Sequence, residues 1–367
     1  MIKAFEEILE IRNGKNQKNV ENPLGKYPIY GSGGKMGYAD DFLCEADTVI
    51  IGRKGSINNP ILVKEPFWNV DTAFGLCADK EYLLPRYLYY FCKHFDFEKL
   101  NTTVTIPSLT KANLLKIKMD VPSLKRQEKV VEQLEKVEVI VTSLKKQLEL
   151  LDELIKSRFV EMFGDSVSNS KKLPVKSMPE VCEIIDGDRG KNYPNQEEFS
   201  DEGYCLFLNA KNVTSKGFSF ENCMFVTKEK DEILRKGHLK RGDVVLTTRG
   251  TIGNLAFYDE SVPFENVRIN SGMVILRMNH EILLEHFFIE QFKMQLASIR
   301  EKITSGSAQP QLPISTMNKI VVLMPTVEQQ QVFADFVKQV NKSKLLVQKS
   351  LDETQQLFDA LMQKYFS

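Results

Sequence analysis

Two arginines carry the most specific chemical pattern in the chain. Arg53 lies in ADTVIIGRKGSINNPILV (Ala46–Val63) and Arg249 in GDVVLTTRGTIGNLAFY (Gly242–Tyr258). In each block an Asp (Asp47, Asp243) opens a β-branched run and the Arg follows six residues later. Then come Gly55-Ser56-Ile57 and Gly250-Thr251-Ile252. The run reads as a buried strand, and the Arg as its end at the entrance to a Gly-rich loop. A planar guanidinium on a rigid strand end matches a phosphate, or the edge of a guanine, with two hydrogen bonds. The neighbouring Gly lets backbone come close to a ligand. A structural use fits the block equally well: the Arg pairs with a carboxylate and closes the strand. The block alone leaves both readings open.

Other polar stretches are candidates of the same kind. YPIYGSGGKMGYADD (Tyr27–Asp41) looks at first like a phosphate loop, but Ile29 stands where the P-loop spacing needs Gly, and Met36 replaces the hydroxyl after Lys35. A nucleotide site is therefore rejected. What remains is a Gly-rich hairpin with Lys35 between Tyr30 and Tyr38, open to a nucleic-acid reading and to simple packing of the tyrosines. DGDRGKNYP (Asp186–Pro194) and LNAKNVTSKGF (Leu208–Phe218) are basic, amide-rich loops. Arg suits guanine and Asn suits adenine.

Catalytic and metal constellations are not found. The six Cys (44, 77, 92, 182, 205, 223) have no C-x2-C spacing, which reads as reduced thiols rather than a metal or disulfide framework. His280 and His286 are six apart, off the i, i+4 spacing of a helical metal pair. No metal is expected. G-x-S-x-G, H-E-x-x-H, G-x-G-x-x-G before a helix and the Asn/Asp-Pro-Pro-aromatic signature of amino-methyltransferases are all missing.

The elements that must position these residues emerge from an internal repeat. Leu124–Phe163 and Val327–Phe366 align without a gap at an offset of 203. IKMDVP (Ile117–Pro122) and IVVLMP (Ile320–Pro325) precede them, and Leu109 in IPSLTKANL matches Leu312 in PQLPISTMN. Each junction reads as strand, proline turn, helix. In the first helix Val130, Leu134, Val137, Val141, Leu144, Leu148, Leu151 and Ile155 step alternately by four and three. Their counterparts are Phe333, Val337, Val340, Lys344, Val347, Leu351, Thr354 and Phe358, apolar except for Lys344 and Thr354. That period marks a narrow seam against a partner helix. The matching seams predict that the two helices pair with each other, antiparallel, with the globular segments at opposite ends; the alternative is that each pairs with a different chain or with its own globular segment.

The chain has 367 residues, 27% charged and 42% hydrophobic. These are proportions of a globular protein, at a length for about two domains. No run approaches the roughly 18 apolar residues of a membrane span, and MIKAFEEILE lacks the order of a signal peptide. Net charge is zero, with 49 basic and 49 acidic residues, which excludes a uniformly basic coat. Locally, residues 12–64 hold eight basic against five acidic residues, and 205–256 hold nine against five. A local basic face attracts phosphate even on a neutral molecule.

In this order, the YGSGG turn (Tyr30–Gly34), IGRKGSINNP (Ile51–Pro60), GDVVLTTRGTIG (Gly242–Gly253) and the twin Pro-capped helices resemble the specificity (S) subunit of Type I restriction–modification systems. The resemblance covers essentially the whole chain. It implies an α+β architecture of two α/β target recognition domains, 1–124 and 166–327. A pair of long antiparallel coiled-coil helices, 125–165 and 328–367, separates them in a pseudo-twofold repeat. The first segment begins at residue 1, so no N-terminal helix is expected to add to this spacer. On this reading Lys15, Lys35, Arg53, Lys54, Ser56 and Asn58 contact DNA from the first domain. Arg189, Lys191, Lys211, Asn212, Arg249 and Thr251 do so from the second. The resemblance further implies a cytoplasmic, non-catalytic subunit that reads a bipartite double-stranded site. It would dock two methyltransferase (M) subunits that methylate adenine, and motor-nuclease (R) subunits where present. This chain would hold no cofactor; S-adenosylmethionine belongs to M. The alternatives are a duplicated coiled-coil adaptor with protein-binding ends, and an enzyme with diverged motifs.

Overall fold

The structure is a computed structural model that describes residues 1–100, 108–304 and 311–367. Ile106-Pro107 and Pro310, at the ends of the matched motifs before the helices, lie outside the described residues. The chain divides into two compact units: residues 1–147 with 347–367, and residues 148–346. Each unit thus takes one part of each long helix.

In the first unit, β1 (Ile2–Ala4), β2 (Leu9–Asn13), β3 (Tyr27–Gly31), β4 (Gly34–Ala39), β5 (Thr48–Gly52), β6 (Ile61–Val63), β7 (Trp68–Asn69) and β8 (Ala73–Ala78) come first. They are followed by α1 (Pro85–His94), α2 (Lys111–Leu115), β9 (Lys118–Asp120) and the long α3 (Leu124–Phe163). An antiparallel sheet runs β2-β8-β5-β6. A second sheet runs β4-β3-β7, with β3 and β7 parallel. β1 pairs with β9. Every residue of β5, TVIIG, is buried, as a continuous apolar run between two neighbouring strands requires.

The second unit contains β10 (Val175–Ser177), α4 (Met178–Val181), β11 (Cys182–Asp186), β12 (Cys205–Leu208), β13 (Val213–Thr214), β14 (Gly217–Phe218), β15 (Phe225–Val226) and α5 (Lys228–Ile233). It continues with β16 (Val244–Thr247), β17 (Leu255–Phe257), β18 (Val267–Ile269), β19 (Met273–Met278), α6 (Glu285–Thr304), α7 (Ile314–Met317), β20 (Val321–Leu323) and α8 (Val327–Phe366). Its sheets repeat the first unit's wiring: β11-β19-β16-β17 antiparallel, β15-β12-β18 with one parallel pair, and β10 with β20. The α+β class and the duplication expected from the sequence are therefore present throughout both units, well beyond the stretches that the sequence shares.

The strand–proline–helix junction occurs twice, and one buried glutamine locks each copy. Gln127 Oε1 accepts from Leu84 N (2.9 Å), while Nε2 donates to Tyr82 O (2.7 Å) and Pro122 O (2.9 Å). Gln330 repeats these bonds with Leu284 N (2.9 Å), Ile282 O (2.9 Å) and Pro325 O (3.1 Å). The helices are 40 residues each. Within the first unit their parts run antiparallel: the Tyr365 hydroxyl meets Gln133, and Val130, Leu134 and Val137 share a core with Phe358 and Met362. The second unit has the same sense. Phe163 and Phe159 stack edge-on against Phe333, Lys344 reaches Asp152 at 2.5 Å, and Ile155 shares a core with Val337 and Val340. Val130, Leu134, Val137, Val141, Ile155, Phe333, Val337, Val340, Leu351 and Phe358 are buried; Leu144, Leu148, Leu151 and Val347 are half-buried. Lys344 keeps its seam place by pairing its ammonium with Asp152, and Thr354 turns its hydroxyl onto Ser350 O at 2.6 Å.

Candidate nucleic-acid interface

Both units build one cradle where two strand ends meet a turn. In the first unit β5 ends at Gly52, and Arg53 N (2.7 Å) and Lys54 N (3.4 Å) both donate to Thr72 O. Arg53 O accepts from Leu109 N (2.9 Å), and Lys54 bridges to Ser108. Gly55, at φ 78, turns the chain, a conformation that L side chains rarely adopt. Ile57 then plugs the core at 2% exposure. The fastened backbone leaves Arg53, Lys54 and Ser56 exposed. In the second unit Thr248 N (2.8 Å) and Arg249 N (3.2 Å) donate to Gly272 O, Leu312 N donates to Thr248 O (2.9 Å), and Arg249 bridges to Gln311. Gly250 turns at φ 72 and Ile252 enters the core, leaving Arg249 and Thr251 exposed.

These bonds correct the register read from the sequence. By hydrogen bonding Arg249 is the counterpart of Lys54, and Thr248 that of Arg53. The equal Asp-to-Arg spacing matches residues one place out of step. Asp47, at φ 61, stands where Gly242 has φ 94. Asp243 instead matches Thr48, and both are 1% exposed. Asp243 serves the fold: its oxygens take Arg277 Nε (2.9 Å) and a second guanidinium nitrogen (2.8 Å), and it caps Lys240 N (2.7 Å). The strand-closing reading of the arginines is not supported. Among the described residues no carboxylate pairs with Arg53 or Arg249; the Arg53 guanidinium lies 5.8 Å over the Phe74 ring.

The second strand end at the cradle depends on a glycine. Gly14 follows β2, and a Cβ there would lie 1.8 Å from Val70 O; at Gly187, after β11, it would lie 2.3 Å from Asn270 O. Only glycine lets these strands cross the turn so closely. Lys15, exposed, follows Gly14 and is pinned by its own N–H to Asn69 O (3.0 Å) and its carbonyl to Trp68 Nε1 (3.0 Å). Arg189, two residues past Gly187, donates to Asp186 (3.0 Å) and Ser271 O (3.3 Å). Lys15, Arg53 and Lys54 are thus brought to one turn, residues 69–72, and Arg189 and Arg249 to its counterpart, 271–272.

The remaining candidates divide. Lys35 is exposed and stands opposite Tyr30 in the β3–β4 register. Its ammonium is 2.8 Å from the Tyr38 hydroxyl and 4.0 Å over that ring, while Tyr30 packs edge-on against Phe67. The Tyr38 hydrogen bond raises its pKa. Lys191 and Lys211 are exposed. Lys211 lines a cavity of about 670 Å³ together with Asn209 and Phe220. Asn212 is not available as a base reader. It is buried, its Oδ1 accepts from Asn209 N (2.9 Å), and its Nδ2 donates to Ser219 O (3.0 Å) and Asn222 O (3.0 Å). Asn58 is also committed, to Asp96 (3.1 Å) and Phe97 N (2.8 Å). Both asparagines shape loops. The sequence reading does not single out Gly14, Gly187, Gln127 or Gln330; the two glutamines were legible as an identity at the 203 offset. Among the described residues no cluster of His, Cys, Asp and Glu could hold a metal, and no helix is long and apolar enough to cross a membrane.

Comparisons with known proteins agree with this architecture. The type I restriction modification DNA specificity domain matches residues 1–153 and 171–355. A Haemophilus influenzae protein, named provisionally as a type I restriction enzyme specificity subunit, is 24% identical over 345 residues, which are 89% of this chain and 84% of its own. The solved type I S subunit from M. genitalium superposes with a TM-score of 0.64 at 18% identity, covering 100% of this chain and 96% of that one. A chain from a structural study of complex assembly and conformational transition in the type I system reaches 0.50 at 15% identity, with 100% and 97% covered. At these identities the structures speak for the fold, and the domain match for the family. The chain belongs to the type I restriction–modification DNA specificity family, the S subunits that its motifs resemble.

Proposed function

We propose that this chain reads a bipartite double-stranded DNA site, one half-site per unit, and so directs adenine methylation by two M subunits. Cleavage follows where R subunits join them. The observation that carries this reading is the duplicated cradle. Two copies of one fold present exposed cations: Arg53 and Lys54 in one and Arg249 in the other stand on backbone held by the same hydrogen bonds, and Lys15 and Arg189 reach the same two turns by bonds of their own. Phosphate contacts would place each unit and base-edge contacts would give sequence choice. Lys35, Ser56, Lys191, Lys211 and Thr251 complete the proposed contact set.

On this reading the globular segments act as target recognition domains and the paired helices as the spacer that sets the gap between half-sites and as the dock for M. The chain works in the cytoplasm and carries no cofactor; S-adenosylmethionine, bound to M, supplies the methyl group. An M subunit would flip the adenine out of the stack, and this chain's part is to choose which adenine. Gel-shift titration of the full chain with its M subunits on duplex DNA tests the proposal. Tight binding to a bipartite duplex with steep salt dependence supports it. Absence of DNA binding at low salt favours a protein adaptor, and methyl transfer by this chain alone would place the chemistry here.

A further inference from the structure

Unit 2 has a basic corner that the sequence reading passes over. The segment between β15 and β16, residues 227–243, carries Arg235 and Lys236, both exposed. The first unit spans the corresponding connection with residues 40–47 alone. The backbone of this corner is tied inward on every side. Arg268, 6% exposed, donates to the carbonyls of Asp231 (2.7 Å), Leu234 (3.1 Å) and Lys236 (2.8 Å) and pairs with the Asp231 carboxylate. Asp188, 8% exposed, accepts Arg235 N (2.8 Å) through one oxygen and Gly190 N (2.7 Å) through the other. It thereby clamps the corner to the turn that bears Arg189. Gly237 abuts Gly187, with its Cβ position 3.4 Å from Gly187 Cα.

Several nearby charges are paired with one another. Lys230 pairs with Glu198 (2.6 Å), Lys228 with Glu232 (4.0 Å), Arg241 with Glu265 (3.2 Å), and Asp231 with Arg268 and His238 (3.9 Å). Among the described residues no carboxylate pairs with Arg235 or Lys236. Two cations on fixed backbone, beside Arg189 and free of acidic partners, are arranged to meet an anionic surface with only their side chains left to order.

We infer that Arg235 and Lys236 form a phosphate-contacting patch of the second unit, continuous with its cradle, and that Asp188 is the positioning residue that fixes it there. The inference rests on the DNA-reading function proposed above and adds a sequence-independent grip on one half-site. Its occupant is the DNA backbone rather than an acidic protein face, because the patch adjoins the proposed base-reading cations.

The test measures affinity of the full chain with its M subunits for its methylated-motif duplex as salt is varied. In the parent, binding without preference for any bipartite duplex removes the underlying reading. If the parent does bind, the doubly substituted Arg235→Ala, Lys236→Ala variant is expected to lower the log–log salt slope by about 1.8, at roughly 0.9 per lost phosphate contact. It should weaken cognate and mismatched duplexes alike. An unchanged slope overturns the inference. So does a loss confined to assembly with M in the absence of DNA, which would assign the patch to a protein partner. Asp188→Asn adds a control of opposite sign: it makes the protein more positive, yet it should bind DNA more weakly because the clamp loosens. Tighter binding would mean that bulk charge alone acts, and would overturn the positioning role.

Discussion

At the scale of residues, the cradle turns on which side chains stand free at a strand end. The corrected register makes Lys54 and Arg249 the matched pair, with Arg53 an additional cation in the first unit. Arg249→Ala is therefore expected to weaken binding by about 1–3 kcal/mol and to relax sequence choice in one half-site only. Lys54→Ala should act on the other half-site, and Arg53→Ala should add to it. Methylation assays on duplexes altered in one half at a time read the difference; unchanged preference in all three variants would make these residues structural. Asp188 gives a pH signature. Backbone N–H donors from Gly190 and Arg235 hold its carboxyl below the usual carboxylate range. Its contribution is therefore complete above the unfolded carboxylate value, about 3.9, and is lost as pH falls through the lower folded value. Hydrogen exchange at Gly190 and Arg235 should show this corner loosening below about pH 4, while a corner insensitive to acid would deny Asp188 its clamp. The sequence showed that cations follow buried strands, but not which were free. Asn212 and Asn58 have base-reading chemistry and spend it within the fold, Asn212 on loop backbone and Asn58 on Asp96 and Phe97 N, because the folded loop and not the residue type decides whether an amide faces outward.

At the scale of elements, the long helices and their proline junctions were legible because heptad spacing and proline act locally. The sheet wiring was not, since strand order depends on pairings such as β3 with β7 that leave no local trace. The glutamine lock lies between these cases. Gln127→Leu would leave Leu84 N–H and the carbonyls of Tyr82 and Pro122 without their partner, each such buried group costing about 1–3 kcal/mol. Thermal unfolding of this variant should occur several degrees lower, and Gln330→Leu should behave in the same way. Stabilities equal to the parent's would show that water replaces the lock. A second prediction concerns spacing. A four-residue insertion after Leu144, matched by one before Leu351, lengthens each helix by about 6 Å, close to two base-pair steps of B-DNA. The preferred gap between half-sites should grow accordingly; the same gap would show that helix length does not set it.

At the scale of the whole molecule, the sequence carries no net charge, so any hold on DNA must come from where cations are placed. The duplicated fold places them twice with different side chains: Arg53 and Lys54 against Arg249 on backbone bonded alike, and Lys15 against Arg189 at the neighbouring strand ends. A scaffold repeated with altered reading residues is what recognition of two different half-sites requires. The most direct measurement is base-resolution mapping of adenine methylation in DNA from cells that express this chain with its M subunit. The expected result is a two-part motif with a fixed gap, in which Arg249→Ala relaxes one part and leaves the other intact. A single undivided motif, or loss of both parts together in that variant, would contradict it.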